Sequence, residues 1–508
     1  MYDPASKAVV GRGSATYPLS TPRPGAAEQD PEHWLQACPQ CLSAAFTQSL
    51  TAAAQGIAVA VSQALSGLDK SRLAAVAVSG QQHGLVAVDA RGCVIRPAKL
   101  WCDVEASAEA AELSAFTGVS TPPGFTAPKF MWLKRHERAH FDATKHMLLP
   151  HDYINFVLTG KTVCEASDAS GTGVFDAKAR KFDARACEFV DPRLLGPSGD
   201  TNGGGPGALL PVLVAPHALI GRVTATAAQR FGLPEGCLVA PGGGDNAMAA
   251  LGAGAVTPGG MLVCSLGTSG TLFCAAQAPI VDASGCVAPF CDAAGVGGLP
   301  LLCTQNCTGP AAEVRTAFGL SHTQADEAAL AAGVPDVSTT NAPLLFLPYL
   351  GGERTPNWPH ATGCVLNLRP GTLTQPGKLY RAAVEGAAFA MRDGYERMTS
   401  AGVAPASELL LVGGAAASDL WASVIAGAFN LPVRRAGETE AAALGAALQA
   451  GAVADNNFYG NVAAYVAAHA PPPAGETIMP DPAHAAYYQT AFARFREAGQ
   501  TLFGTTFA

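Results

Sequence analysis

Four times along the chain an apolar run ends in a polar turn rich in glycine. The runs are AAVAVSGQQHG at 74–84, LVAPGGGDNA at 238–247, MLVCSLGTSG at 261–270 and ELLLVGG at 408–414. A buried strand that stops at small residues lets backbone approach a ligand, and Gly413-Gly414 is followed by helical spacing in AAASDLWASVIAGAF. Strand, glycine turn and helix in alternation favour a layered α/β architecture. With 508 residues the chain exceeds the roughly 250 to 300 at which a single core stops growing, so two domains are the default. The likeness of the strand-turn-strand units at 73–90 and 261–275 hints at a duplicated fold.

Composition narrows the function classes. The chain is 49% hydrophobic and 14% charged, with 56 glycines, which describes a globular chain rich in small residues. A formal charge of -8 argues against nucleic acid or an anionic membrane, whose footprint would be basic. Neither a signal-peptide pattern nor an apolar run of about 18 residues is present, so the cytoplasm is the expected location, unless a lost N-terminal segment carried a targeting signal. The 14 cysteines have no framework spacing and read as small buried hydrophobes. Cys38-Pro-Gln-Cys41 is the one close pair, and no second pair completes a metal site.

Several turns carry groups able to do chemistry. Gly267, Thr268 and Ser269 sit at a hairpin tip that offers backbone N–H groups and hydroxyls, suited to a phosphate. Gly413 and Gly414 end a strand before a helix whose N-terminal N–H groups and dipole favour an anion, although close helix packing also demands glycine. Asp245 stands behind three glycines; such a carboxylate can take a proton from a substrate hydroxyl, or can simply cap the following helix. Gln82 and His83 place amide and imidazole on a loop, and Trp101 with Asp103 pairs an aromatic face with a carboxylate, which suits a polyol. Further on, Ser418 or Asp419 is expected to cap a helix, ETEAAALGAALQAG to be a helix ending at Gly451, and 483–500 a terminal helix.

The order of these segments is more specific than any one of them. SGQQHG, LWCD, GFTAPKFMWLKRHE, LLPHDYINFVLTG, SDASGTGVFD, GGGDNA, SLGTSG, LPYLGGERTP, AVEGAAFAMRDG, LVGGAAASDLW and EAAALGAALQAG together resemble the FGGY carbohydrate kinases from about residue 20 to residue 450. The SGQQHG and GGGDNA forms are most similar to those of the branch that phosphorylates D-xylulose. The resemblance implies a two-lobed, actin-like (ribonuclease H-like) α/β fold, with a sugar-binding lobe over 1–246 and an ATP-binding lobe over 247–508. It implies a sugar deep in the cleft between lobes, held by Gln82 and His83 with Trp101, Asp103 and Asn246 near it. Asp245 matches the general base, Gly267, Thr268 and Ser269 the second phosphate loop, and Gly413 with Gly414 the adenosine motif. ATP and Mg²⁺ are the implied cofactors, with no metal ligand assigned. The implied partners are small molecules, with a homodimer allowed. A base of this kind needs no raised pKa, because the alcohol's proton becomes acidic only as the P–O bond forms. A sister kinase acting on ribulose or glycerol, or a catalytically weak sugar-binding protein, are the competing readings.

This sequence departs from the family's pattern at several places. Gln82 stands where methionine is frequent, Asn367 and Lys378 replace a usual glycine and a polar or acidic residue, and Ala415 to Ala417 offer no long polar side chain. The family also opens with a strand and an Asp-x-Gly-Thr phosphate hairpin, and no such unit occurs before residue 70. Asp3-Pro4 with Ala5 and Ser6 reads instead as a turn into an extended segment from Lys7 to Thr16, with its pairing strand missing. On the resemblance, a chain starting at Met1 is expected to lack the first strand and a Mg²⁺-associated carboxylate, and to phosphorylate poorly or be unstable.

Overall fold

The computed structural model describes residues 1–35, 57–282, 285–295, 297–335, 342–437, 440–458 and 460–504. Cys38 and Cys41 lie outside them. The chain divides into two compact units, and neither is contiguous: the first holds 1–256, 290–299 and 440–471, the second 257–289, 300–439 and 472–508. The first division follows Val256. The return of 440–471 to the first unit has a packing cause, set out below.

In the first unit the strands are short. Ala75–Val76 pairs in parallel with Leu238–Val239, and Ser79–Gly80 pairs in parallel with Gly243–Gly244. Two segments separated by some 160 positions in sequence therefore run side by side, one ending in QQHG and the other in DNA. Behind them pack Val86, Val88, Leu148, Val223 and Val239, all at most 1% exposed. The helix Asp245–Gly252 lies against the helix Ala441–Ala454. A Cβ on Gly445 would come 1.7 Å from the Met248 carbonyl oxygen, and one on Gly252 would come 1.9 Å from that of Ala441. Only glycine permits that approach, which fixes residues 440–471 in the first unit.

The second unit is built on a seven-stranded sheet whose strands run in the order Val287–Cys291, Gly298–Thr304, Gly270–Cys274, Met261–Leu266, Glu408–Val412, Val433–Arg435, Ala474–Ile478. Met261–Leu266, Glu408–Val412 and Val433–Arg435 are parallel to one another. Strands buried on both faces read as continuous apolar runs, as MLVCSL and ELLLV do. The 25-residue helix Pro376–Ser400 is buried along most of its length through small side chains such as Ala383, Ala387, Ala388 and Ala390. The high count of alanine and glycine thus buys close packing of helices and strands.

Three local expectations change. The helix expected to stop at Gly451 continues to Ala454 and is capped at Asp455; Gly451 is there because a Cβ would strike the Tyr465 ring, at 2.3 Å from its hydroxyl. The terminal helix runs Ala485–Phe503. The opening turn does have a first strand: Tyr2–Asp3 pairs antiparallel with Ala8–Val9, and Val10 N donates to Met1 O at 3.0 Å. Asp3 closes the turn by accepting from Ala5 N at 3.2 Å and Ser6 Oγ at 2.7 Å. Two residues suffice where the side chain of the third supplies the remaining bonds. Among the described residues no helix is long and apolar enough to cross a membrane.

Candidate active site

The parallel pairing of Ser79–Gly80 with Gly243–Gly244 brings two motifs of the first unit together. Asp245 follows at the first position of its helix, with Gly244 as the N-cap and no side-chain capping bond. The reading of Asp245 as a helix cap therefore gives way: its Oδ1 accepts from the Asn246 N–H at 2.9 Å and from Asn246 Nδ2 at 3.2 Å. Asn246 Nδ2 also donates to Gln82 Oε1 at 3.0 Å. Asp245, Asn246 and Gln82 thus form one hydrogen-bonded group. Gly244 lies flat beneath it, because a Cβ there would sit 2.6 Å from Gln82 Cγ.

The turn that carries Asp245 is held from both sides. Asn155 Nδ2 donates to Pro241 O at 2.6 Å, while Gln449 Oε1 accepts from Gly242 N at 2.7 Å and its Nε2 donates to Gly242 O at 3.2 Å. Both amides are fully buried, so neither can trade its partner for water. The three glycines supply the approach and these two side chains supply the rigidity.

Beneath lies a buried ionisable cluster. His151 Nδ1 meets Asp168 Oδ2 at 2.6 Å, and His151 Nε2 lies 3.2 Å from Asp152 Oδ1. Glu165 accepts from Ser167 N at 2.7 Å, Ser167 Oγ at 2.5 Å and Asp168 N at 2.8 Å. All four ionisable groups are at most 1% exposed. Burial alone would push the His151 imidazole down, but Asp152, Asp168 and Glu165 face it and hold its pKa up at about 9. Burial, reinforced by the Asp168 carboxylate, pushes Asp245 up to about 6, against the backbone N–H groups at its own helix start. A carboxylate at that value is ionised at neutral pH yet is a better proton acceptor than an ordinary aspartate.

His83 adopts a left-handed backbone at φ 67, uncommon for a residue with a Cβ. Its ring stacks on Phe125 at 4.5 Å, and Phe290 lies tilted at 5.7 Å. A Cβ on Gly171 would lie 1.9 Å from His83 Nδ1, so the SDASG turn is the floor on which the imidazole rests. Trp101 is 54% exposed. Asp103, expected beside the sugar, has its carboxylate engaged by the protein itself: Oδ2 accepts from Ala27 N at 3.0 Å and Lys99 Nζ at 2.9 Å, and Oδ1 from Glu105 N at 3.2 Å. Asp103 holds the loop that carries Trp101. Among the described residues, Glu28, Asp103 and Glu105 come within 4.8 Å of one another, but the Lys99 ammonium sits among them. That group is an ion-pair network and does not fit a divalent cation.

In the second unit, Gly267, Thr268 and Ser269 form the hairpin tip between Met261–Leu266 and Gly270–Cys274. Thr268 and Ser269 are exposed. The tip is braced from behind: Cys307 N donates to Thr268 O at 3.0 Å, and Thr308 N and Oγ1 donate to Gly267 O at 3.1 and 2.9 Å. Glu353, from LPYLGGERTP, accepts from Gln305 N at 2.6 Å and Asn306 N at 3.3 Å and so fixes that brace. Ser265 pairs in parallel with Val412, so Gly413 and Gly414 leave the sheet at the same strand ends as this tip. Gly413 has φ 91, and a Cβ there would meet Leu266 O at 2.7 Å; beside Gly414 there is open space. Ser418 caps the helix Asp419–Phe429 through Trp421 N at 3.2 Å.

Comparison with known proteins identifies the family. Residues 1–252 match the N-terminal domain of the FGGY family of carbohydrate kinases and residues 262–454 its C-terminal domain. The chain belongs to the FGGY family of carbohydrate kinases. The chain is similar to the xylulose kinase of Haemophilus influenzae, 32% identical over 458 residues, covering 88% of this chain and 86% of the relative. It is similar also to the xylulose kinase of Streptomyces coelicolor, 37% identical over 460 residues, covering 88% and 84%. Among solved structures, a "xyloylose kinase" from Brucella ovis superposes with a TM-score of 0.81 at 31% identity, covering 99% of this chain and 96% of its own. The xylulose kinase of Rhodospirillum rubrum gives 0.80 at 26% identity, covering 96% and 92%. The two-domain actin-like fold and the carbohydrate-kinase activity expected from the motifs are those of this FGGY family.

Proposed function

We propose that this FGGY kinase transfers the γ-phosphoryl group of ATP, used with Mg²⁺, to the terminal hydroxyl of D-xylulose. The names of its relatives support the sugar. The observation that carries the chemistry is Asp245: a half-buried carboxylate raised to about 6, at a glycine-flanked strand end, bonded through Asn246 to Gln82. In this reading the first unit recognises the sugar and the second binds the nucleotide. Gln82, Asn246 and His83 offer donors and acceptors to the ketose hydroxyls, and Trp101 an apolar face. Asp103 acts by fixing the Trp101 loop.

The step balances simply. The C5 hydroxyl oxygen bonds to the γ-phosphorus, the bond from that phosphorus to the β-bridging oxygen breaks, and ADP leaves. The hydroxyl proton passes to Asp245 as its acidity rises. Donors at Gly267, Thr268 and Ser269 offset charge on the phosphates, and the turn at Gly413 and Gly414 receives the adenosine. Mg²⁺ neutralises phosphate charge on the nucleotide.

An assay of ADP release over D-xylulose, L-ribulose, D-ribulose and glycerol tests the assignment. D-xylulose should give the highest kcat/KM. A preference for glycerol or for either ribulose would overturn the sugar, and no sugar-dependent ADP release at all would overturn the reaction.

A further inference from the structure

The proposed mechanism leaves a fully buried lysine without a role. Lys129, in the middle of GFTAPKFMW, has no exposed surface. Its ammonium donates to two backbone carbonyl oxygens, that of His83 at 2.8 Å and that of Gly124. Thr126 Oγ1, one helical turn earlier, donates to the same His83 oxygen at 3.2 Å. A buried lysine is ordinarily paired with a carboxylate. Here burial first, and then the neighbouring Lys99 charge, press its pKa down to about 7 despite Asp103. The cost of keeping a cation at this place asks for a return, and the loops it joins supply one.

The His83 carbonyl belongs to the residue held at φ 67. Gly124 packs on LWCD: a Cβ there would lie 2.1 Å from the Trp101 carbonyl oxygen. Between them, Phe125 stacks on the His83 ring. A single ammonium therefore ties the loop carrying the imidazole to the loop resting on the exposed indole. We propose that Lys129 is the positioning residue of the sugar pocket, holding His83 and Trp101 at the spacing from which both engage the acceptor. Lys129 touches no reacting atom; it acts through the two carbonyls. The inference rests on the assignment of His83 and Trp101 to the sugar.

Lys129→Met keeps the length of the stem and removes the donor. Its KM for the acceptor that the wild type turns over best should rise at least ten-fold, while the KM for ATP stays within two-fold. A merely structural lysine would move both constants together or neither, and either result overturns the proposal. Gly171→Ala provides the same reading where Lys129→Met fails to fold. The added methyl displaces the imidazole from its floor without touching the ammonium, and it should also raise the acceptor KM alone; an unchanged value overturns the account of the loop.

Hydrogen exchange of the peptides covering 79–85 and 122–126 reads the clamp without turnover. In Lys129→Met both peptides should exchange at least ten-fold faster than in wild type, with the peptide covering 408–412 unchanged. If they stay protected, the clamp is absent whatever the enzyme phosphorylates. If they open while no sugar-dependent ADP release is found in wild type, the clamp stands and the reaction assigned above is what fails.

Discussion

Asp245 is where residue chemistry can be read most sharply. Replacing it with alanine removes the proposed proton acceptor and should lower kcat with D-xylulose by two orders of magnitude or more, roughly 3 kcal/mol of transition-state stabilisation. Near wild-type turnover in that variant would remove Asp245 from the mechanism. Its raised pKa has a second consequence through Asp168, whose negative charge adds to the effect of burial. Asp168→Asn takes that charge away, so Asp245 should titrate at lower pH and the acid limb of kcat/KM should move down; a limb that moves up would reverse the electrostatics. Asn367 illustrates a substitution the structure explains. It stands at φ 65 where the family usually has glycine, and its Nδ2 donates to Pro343 O at 2.7 Å. Asparagine is among the few residues with a side chain that tolerate this conformation.

At the scale of elements, glycine has two separate meanings here, and only one was legible in the sequence. The glycines before Asp245 and at Gly413 read correctly as turns at strand ends, because apolar runs and polar turns repeat in the order a layered fold requires. Gly445 and Gly451 sit inside a helix, although the sequence suggested a cap at Gly451; Gly445 serves a partner helix far away in the chain, and Gly451 makes room for the Tyr465 ring of the next helix. Gly445→Ala separates the two terms: alanine gains about 1 kcal/mol of helix propensity, but a methyl 1.7 Å from the Met248 carbonyl oxygen forces the helices apart, at about 3 kcal/mol or more. Overpacking should win, so thermal unfolding should show a net loss of about 2 kcal/mol. An unchanged or higher melting temperature would mean that the helices adjust freely. The buried His151, Asp152, Glu165 and Asp168 cluster and the Lys129 clamp were not legible as chemistry. Their motifs were visible, but the pairings join residues of different elements, and no spacing along the chain encodes them. Asp103 shows the converse: a carboxylate near an aromatic suggested a sugar contact, and the competing cation, Lys99, became decisive only once its position in space was known.

Across the whole molecule, the proposed mechanism gives the sugar to the first unit and the nucleotide to the second. Each presents its candidate turns at the ends of parallel strands: QQHG and DNA in the first, SLGTSG and LVGG in the second. The order of motifs carried the fold and the kinase activity, since eleven segments in sequence constrain a topology far more tightly than any one constrains a site. The second unit can be tested by itself. Gly413→Ala places a Cβ against Leu266 O at a backbone angle only glycine adopts without strain, so the KM for ATP should rise several-fold with the KM for D-xylulose unchanged. An effect on the sugar alone would contradict the assignment of this turn to the nucleotide.

The central claim is that a carboxylate raised to about 6 accepts the sugar's proton. The direct measurement is the dependence on pH, from 4.5 to 8, of kcat/KM for D-xylulose in the wild type and in Asp245→Asn. A raised pKa means that Asp245 is protonated, and so unable to act as base, once pH falls below that value. The wild type should therefore be level above about pH 7 and fall with unit slope below about pH 6, and Asp245→Asn should be at least 100-fold slower with that limb abolished. A wild-type profile level down to pH 4.5, or an Asp245→Asn variant that keeps both the rate and the limb, would contradict the account.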